Sequence, residues 1–147
     1  MLDYSEPIST PLGQSSIIKL EKGDNWHVQT PKGLICSKNK NTLEVEFDSE
    51  DINFRAFENF IENIRIKNKE WKDKIDIKLK HKERKQNLRM FECNINNNTE
   101  YFDKNKNICN NDLIHGQCVI LIITTPRVWL SKKNYGNTWE IKQIMKI

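Results

Sequence analysis

The sequence predicts a mainly β protein, with about seven or eight short strands that form a small barrel or sandwich around one helix. Leu43, Val45 and Phe47 alternate with polar residues, which is the period-two pattern of a half-buried strand. Many short apolar segments are separated by Pro, Gly and Asn, the residues that punctuate turns. A single segment, Phe54 to Ile64, instead has its apolar residues at helical spacing.

The length of 147 residues suits one domain with a core of its own. Residues 1–14 contain Pro7, Pro11 and Gly13, and we expect them to form a flexible N-terminal arm before a single domain of residues 15–147. The sequence has neither an apolar run of membrane-spanning length nor the pattern of a signal peptide. These features predict a cytoplasmic protein that does not enter a membrane.

The first half of the chain is expected to hold a strand–turn–strand unit, a strand and the helix. Ser16–Leu20 and Asn25–Thr30 flank a Glu-Lys-Gly-Asp turn, and the strand around Val45 follows. Asp48 or Ser49 can cap the helix, with acidic residues in its first turn. The apolar stripe of this helix should pack on the sheet or plug it.

The segment from Arg65 to Gln86 has two interpretations. Alternation of Ile75, Ile77 and Leu79 with charged residues favours a strand, followed by a basic loop at residues 81–86, and a continuing helix is the alternative. We expect another strand in the segment from Leu88 to Ile95.

The last forty residues predict two long strands joined by a basic hairpin. The first is the apolar run Cys118 to Leu130, and the second starts at Trp139. Between them, the turn at residues 131–137 carries lysines, a tyrosine and a glycine. The apolar side chains of the first strand could serve a core or a homo-oligomer interface.

No catalytic or metal-binding motif is present in the sequence. The four cysteines lack the close pairing of a zinc site, and the five glycines do not form a nucleotide-binding loop. The three histidines are far apart in sequence. We therefore expect a protein without enzymatic activity, cofactor or metal.

The charges are unevenly distributed, although the net charge is only +4. Residues 41–64 contain seven acids and one base, whereas residues 65–89 contain eleven bases and four acids. Basic residues mixed with aromatic ones suit single-stranded nucleic acid, because cations bind phosphates and flat rings stack on bases. The predicted backbone contacts are Lys72, Lys74, Lys78, Lys80, Lys82, Arg84, Lys85, Lys132 and Lys133.

The aromatic residues divide into core and ligand candidates. Trp139 alternates with Ile141 and is expected in the core, whereas Trp129 could point either way. Trp71, Trp26 and Tyr135 lie among polar or basic residues and are the predicted stacking residues.

The order of several segments resembles a known family. Thr30-Pro31 comes first, then the amphipathic segment from Phe54, the Tyr101-Phe102-Asp103 segment, Trp129, and an ending on Tyr135-Gly136 and Trp139-Glu140-Ile141-Lys142-Gln143-Ile144. This order, from about residue 26 to 147, resembles the single-stranded DNA-binding proteins of nucleocytoplasmic large DNA viruses. It is also similar to related proteins of yeast cytoplasmic linear plasmids and, more distantly, to the T7-type phage protein. Abundant Lys, Asn and Ile, which have A/T-rich codons, fit such genomes.

The resemblance implies an OB-like barrel without a cofactor that binds single-stranded DNA with little sequence preference. It further implies a role in DNA replication, recombination or repair, with replication proteins as partners. The alternative function is a structural or assembly subunit of a viral or plasmid complex that binds a protein partner.

Overall fold

The chain forms two compact units, each built from three separate segments. The computed structural model describes residues 2–11, 13–20, 26–75 and 81–147, with only the backbone of residues 19 and 20 described. Unit 1 is made of Met1–Trp26, Asn59–Lys85 and Thr125–Thr138, and unit 2 of His27–Glu58, Gln86–Thr124 and Trp139–Ile147.

Thirteen described strands and one helix make up the two units. The strands of unit 1 are β1 (Leu2–Tyr4), β2 (Ile8–Thr10), β3 (Gly13–Leu20), β7 (Lys82–Glu83), β11 (Arg127–Leu130) and β12 (Asn134–Asn137). The strands of unit 2 are β4 (Val28–Gln29), β5 (Gly33–Lys38), β6 (Thr42–Phe47), β8 (Met90–Asn94), β9 (Glu100–Phe102), β10 (Cys118–Thr124) and β13 (Glu140–Lys146). The helix α1 (Ile52–Ile75) contributes residues 52–58 to unit 2 and 59–75 to unit 1.

Unit 2 is a closed barrel of five strands. The ring runs β10–β5–β6–β8–β13 and closes because β13 also pairs with β10. The β13–β8 pairing is parallel, and the other ring pairings are antiparallel. This arrangement confirms the prediction of a mainly β, OB-like barrel with one helix. Two further strands extend the wall, since β4 pairs with β10 and β9 pairs in parallel with β13.

Aromatic rings fill the barrel core. The Phe47 and Phe57 ring centroids are 5.4 Å apart, and Phe91 lies 6.0 Å from Phe47 and 5.9 Å from Trp139. Tilted and edge-on ring pairs at this spacing stabilise a core beyond the area they bury. Trp139, predicted to be a core residue, is accordingly buried.

Unit 1 has a second sheet, with strand order β1–β3–β11–β12–β7 and β2 paired to β3. A polar network ties helix residue Asn68 to this unit. Tyr4 donates to Asn68 Oδ1 over 2.7 Å, and Asn68 Nδ2 donates to Asn137 Oδ1 over 2.8 Å. Buried amides must find partners of this kind because an unsatisfied polar group is costly.

The helix begins later than the predicted caps and ends later than its apolar stripe. Asp51 Oδ1 accepts the Asn53 N–H over 2.8 Å and is the N-cap, whereas Asp48 accepts the N–H of Glu50 in the preceding turn. The predicted caps and acidic first turn are therefore wrong. Over the described residues, no helix is long and apolar enough to cross a membrane.

The helix also continues to Ile75, so the alternative interpretation of the segment after Arg65 is correct up to that residue. The rest of the predicted strand over residues 75–79 falls on residues 76–79, outside the described part of the chain. The basic segment after it contains a short strand, β7, where only a loop was expected.

The run Cys118 to Leu130 is two strands rather than one. It is interrupted at Thr125-Pro126, since proline has no N–H to donate to a ladder. β10 then pairs with β13 in unit 2, and β11 pairs with β12 in unit 1. The predicted single hairpin is thus replaced by two antiparallel pairs in different sheets.

Residues 1–14, expected to form an arm, contain β1 and β2. Both strands pair antiparallel with β3, whose first two residues also fall in this segment. The division into an arm and a single domain of residues 15–147 remains a prediction.

Substitution of Gly33 tests the packing of the barrel. A Cβ atom at Gly33 would lie 2.2 Å from Val45 Cγ1 and 3.0 Å from the Phe47 ring. Gly33→Ala should therefore lower the free energy of unfolding by about 1–3 kcal/mol through overpacking. Urea unfolding measures this change. In a Val45→Ala background the same substitution should lower the free energy of unfolding by less. An equal decrease in both backgrounds would refute the clash.

Arg65 and Glu83 supply a pH-dependent test of unit 1. Arg65 Nε donates to Glu83 Oε1 over 2.7 Å, and Arg65 Nη2 donates to Glu83 Oε2 over 2.9 Å. The hydrogen bonds from Arg65 lower the pKa of Glu83 against the opposing effect of burial. Because the folded-state pKa is the lower one, the stabilisation is complete above the ordinary pKa of glutamate and is lost as the pH falls through the folded value.

Glu83→Gln should therefore lower the free energy of unfolding by about 1 kcal/mol at pH 7, and by progressively less in acid. Urea unfolding across a pH series measures both effects. Glu70→Gln is the matched control, because Glu70 pairs with Lys67 at 3.6 Å in an exposed position on the same helix. A Glu83→Gln effect that does not change with pH would contradict the ion pair.

Candidate nucleic-acid interface

The outer face of the unit 1 sheet presents a tryptophan between cations. In β11, Val128 and Leu130 are buried, whereas Arg127 is exposed and Trp129 is partly exposed. Since side chains alternate along a strand, Arg127 and Trp129 share the face that the buried pair does not. The sequence Arg-Val-Trp-Leu thus gives this strand one apolar face and one face suited to a ligand.

The Trp129 indole lies across a glycine of the neighbouring strand. Trp129 is in register with Gly136, and a Cβ atom added there would lie 3.3 Å from Trp129 Cζ2. It would also lie 3.4 Å from Arg84 Cβ, so the indole and Arg84 lie side by side over Gly136. A glycine at this position leaves the space in which a flat ring can rest on the sheet.

Further cations lie in β7 and in the turn between β11 and β12. β7 pairs in parallel with β12, which brings Lys82 opposite Asn134. The turn between β11 and β12 carries Lys132 and Lys133, and the Lys82 N–H donates to the Lys133 carbonyl over 2.8 Å. We call Lys82, Arg84, Arg127, Trp129, Lys132 and Lys133 the basic sheet face.

Glu83, the acidic residue of the β7 segment, faces the helix rather than the outer side of the sheet. Glu83 is paired with Arg65 of the helix, and its side chain is 25% exposed. Its neighbours Lys82 and Arg84 are exposed. The described charged residues on the outer face of β7, β11 and β12 are therefore all basic.

The predicted stacking residues Trp26, Trp71 and Tyr135 are core residues. Their exposed fractions are 7%, 6% and 5%, so no ring face is open to a base. Trp71 Nε1 donates to the buried Ser16 hydroxyl over 2.8 Å, and the Trp26 ring centroid lies 5.5 Å from that of Phe60. We correct the prediction for these three residues, because their burial requires a packing role in this conformation.

Lys72 is also poorly placed for a phosphate. Its side chain is 11% exposed, its Nζ lies 3.0 Å from Asp73 Oδ1, and it stands 5.7 Å from the centroid of the Tyr135 ring. Hydrogen bonds from Lys72 and Lys69 lower the pKa of Asp73. Burial, followed by the carboxylates of Glu83 and Asp73, raises the pKa of the Tyr135 hydroxyl. Lys72 therefore balances local charge within unit 1.

The other predicted cations are exposed where the structure describes them. Lys82 and Arg84 belong to the β7 segment, and Lys132 and Lys133 to the adjoining β11–β12 turn, so these four exposed cations are included in the basic sheet face. The exposed side chains of Lys74, in the last turn of the helix, and Lys85, at the end of the β7 segment, are not assigned to that face. Lys78 and Lys80 lie outside the described residues. As DNA contacts, these basic residues remain predictions.

The barrel wall of unit 2 has the opposite charge. On the outward side of β6, Glu44 is directly opposite Glu92 of β8, and Glu46 is opposite Met90. The inward partners Leu43, Val45, Phe91 and Cys93 are buried. Three carboxylates on one surface repel a polyanion, so the acidic strand β6 is not the face on which DNA is expected.

Sequence reasoning missed Arg127, and it left the side of Trp129 open. The usable signal was the alternation of these two residues with Val128 and Leu130, together with a glycine seven residues after Trp129. Among the described residues, no group of three or more His, Cys, Asp or Glu is arranged to hold a metal ion.

No family model matches the sequence, and no curated protein matches it either. Among solved structures, the chain is similar to the crystal structure of gp2.5, a single-stranded DNA-binding protein encoded by bacteriophage T7. The TM-score is 0.60 at 10% sequence identity, and the match covers 82% of this chain and 91% of that chain. At this identity the likeness shows a shared fold, which agrees with the OB-like barrel of unit 2.

Proposed function

We propose that this protein binds single-stranded DNA with little sequence preference, through the basic sheet face of unit 1. The observation that carries the proposal is the partly exposed Trp129 on a surface whose described charges are all basic. The fold shared with a phage single-stranded DNA-binding protein supports the same function.

Trp129 is the proposed stacking residue. Its indole is supported from below by Gly136, so a base can stack on its open side. A base stacked on an aromatic ring contributes about 1–3 kcal/mol, and every base has a suitable face. Stacking of this kind gives affinity without selecting a sequence.

The cations are proposed to bind the phosphates on either side of that base. Adjacent strands are about 4.8 Å apart, so β7 lies roughly 10 Å from β11. Arg84, Lys82 and Arg127 are therefore within one or two strands of the indole. Each neutralised phosphate of a single strand adds about 0.7 to the slope of log affinity against log salt.

The proposed biological role is based on the resemblance and the composition of the sequence. The segment order described above resembles proteins of large DNA viruses and yeast linear plasmids, and the abundance of Lys, Asn and Ile fits an A/T-rich genome. We propose a role in DNA replication, recombination or repair, in the cytoplasm, alongside replication proteins. The residues proposed to bind DNA with Trp129 are Lys74, Lys78, Lys80, Lys82, Arg84, Lys85, Arg127, Lys132 and Lys133.

Replacing Trp129 tests the stacking. Trp129→Ala should weaken oligo-dT binding about 10- to 100-fold, because one base loses its stacking partner. It should also remove most of the tryptophan quenching that oligo-dT causes in the unaltered protein. Fluorescence titration at low and moderate salt measures both effects.

Trp26→Phe is the control for this experiment, because Trp26 is buried and the substitution keeps an aromatic ring in unit 1. Its oligo-dT affinity should stay within about twofold of the unaltered protein. Thermal unfolding shows whether each variant remains folded. A folded Trp129→Ala protein with full affinity and full quenching would contradict the proposed site.

Charge reversal at the hairpin tip tests the phosphate contacts. Lys132→Glu with Lys133→Glu should weaken oligo-dT binding and lower the salt slope by about 1.4, the value for two single-strand phosphates. The matched control reverses Lys38 and Lys40, two exposed lysines around the β5–β6 turn of unit 2. This control has the same change in net charge but should keep the slope.

Equal losses of oligo-dT affinity and of salt slope in the two double variants would mean that only the net charge of the protein determines binding. This result would refute the proposed interface. No oligo-dT binding by the folded, unaltered protein at low salt would instead favour the assembly-subunit alternative. That alternative predicts a stable complex with a protein partner and no salt-dependent DNA affinity.

A further inference from the structure

We infer that unit 2 holds a second, separate site, a groove for one nucleotide on the outer side of β4, β10, β13 and β9. The groove has a volume of about 320 Å³, within the range typical of small-molecule sites. Its lining residues are Gln29, Phe102, Lys106, Ile120, Ile122, Gln143 and Met145. None of them belongs to the basic sheet face, so the inference goes beyond the proposed function.

Strand register arranges these side chains in two parallel rows. Gln29 and Gln143 are both in register with Ile122, one on each side of it. In the second row, Met145 stands between Ile120 and Phe102. The groove therefore has an apolar floor, an aromatic wall and two amides at one end.

Lys106 is placed at the groove by a constrained turn. It has a φ of 67°, the left-handed region that residues other than glycine rarely adopt. The turn is held by Asp103, whose Oδ1 accepts the N–H groups of Asn105 and Asn107 over 2.8 and 3.0 Å. The Lys106 N–H also donates to the Asp103 carbonyl over 3.0 Å. These bonds fix the position from which the Lys106 side chain lines the groove.

A nucleobase with its phosphate matches this combination of groups. The base is flat and can lie on Ile120, Ile122 and Met145 against the Phe102 ring, as aromatic and apolar side chains sandwich bases elsewhere. Side-chain amides offer both a donor and an acceptor, which the edge of a base requires. The ammonium of Lys106 supplies the charge for the phosphate.

Charge fixes the orientation of the nucleotide in the groove. Glu100 of β9 is in register with Gln143, so a carboxylate stands at the amide end. This carboxylate repels a phosphate and can accept a hydrogen bond from a base. The base edge is therefore assigned to the Gln29 and Gln143 end, and the phosphate to Lys106.

Methyl NMR tests the groove directly. Met145 is one of three methionines, and its methyl signal, with those of Ile120 and Ile122, should shift when a base ring lies above it. We expect saturable shifts with dTMP, about tenfold weaker binding of thymidine, and no effect of inorganic phosphate on these methyl groups. Shifts with oligo-dT as well would show that a strand also supplies the nucleotide, whereas shifts with dTMP alone would assign the groove to free nucleotides.

Matched variants on one turn separate the contact from net charge. Lys106→Asn removes the ammonium with a residue that tolerates the left-handed backbone, and should weaken dTMP binding about tenfold while leaving thymidine binding unchanged. Lys104→Asn makes the same change at an exposed neighbour that does not line the groove. Its dTMP affinity should be that of the unaltered protein.

Two results would overturn the inference. One is the absence of methyl shifts with both dTMP and oligo-dT in the folded protein. The other is equal affinity for dTMP and thymidine that Lys106→Asn does not change. Because Trp129 variants report on unit 1 and the methyl groups on unit 2, failure of the groove and failure of the proposed function are measured separately.

Discussion

The ion pair between Arg65 and Glu83 determines the character of the unit 1 surface. β7 has two residues and pairs with one strand among the described residues, so its place depends on side-chain contacts as well as on its ladder. The guanidinium of the helix binds both oxygens of Glu83 and holds this acid on the inner side of the sheet. Because side chains alternate along a strand, Lys82 and Arg84 then point outward. This fork-shaped contact thus helps to position the strand and keeps Glu83 off the outer face of β7.

The helix contributes different chemistry at its two ends. Phe57, near the start, joins the ring cluster of the barrel with Phe47 and Phe91. Further along, Asn68 and Trp71 make hydrogen bonds to unit 1 in place of purely apolar packing. Polar groups buried in this way require defined partners, whereas apolar rings tolerate several arrangements. The C-terminal half of the helix is therefore specified by its hydrogen bonds as well as by the area it buries.

The parts of the fold that were predicted correctly are those with a strong periodic signal. The strand at Val45 and the first part of the helix followed from alternation and from helical spacing. The helix after Ile64 was only the alternative interpretation, because Asn68 occupies its buried stripe, which still continues to Trp71 at the correct spacing. Trp71 was taken for a ligand residue because of its lysine neighbours in sequence, although neighbours on a helix are three or four residues apart.

The residues of the proposed interface were predicted only in part, for a similar reason. The lysines of the hairpin and of the β7 segment were identified by charge alone, and exposure is common for such residues. The proposed grouping of these residues with Trp129 depends on the parallel β7–β12 pairing, which joins residues about fifty positions apart. No local pattern encodes such a pairing, so the sequence suggested the components without their arrangement.

The closing strand of the barrel imposes an order on folding. β13 pairs with β10, β8 and β9, so the ring stays open until residues 140–146 have been synthesised. Until then, β10 and β8 each present an unpaired edge, and edges of this kind attract other chains. Most pairings also join residues distant in sequence, which slows folding. An incomplete chain without β13 would therefore expose an edge of the apolar strand β10, which favours aggregation over folding.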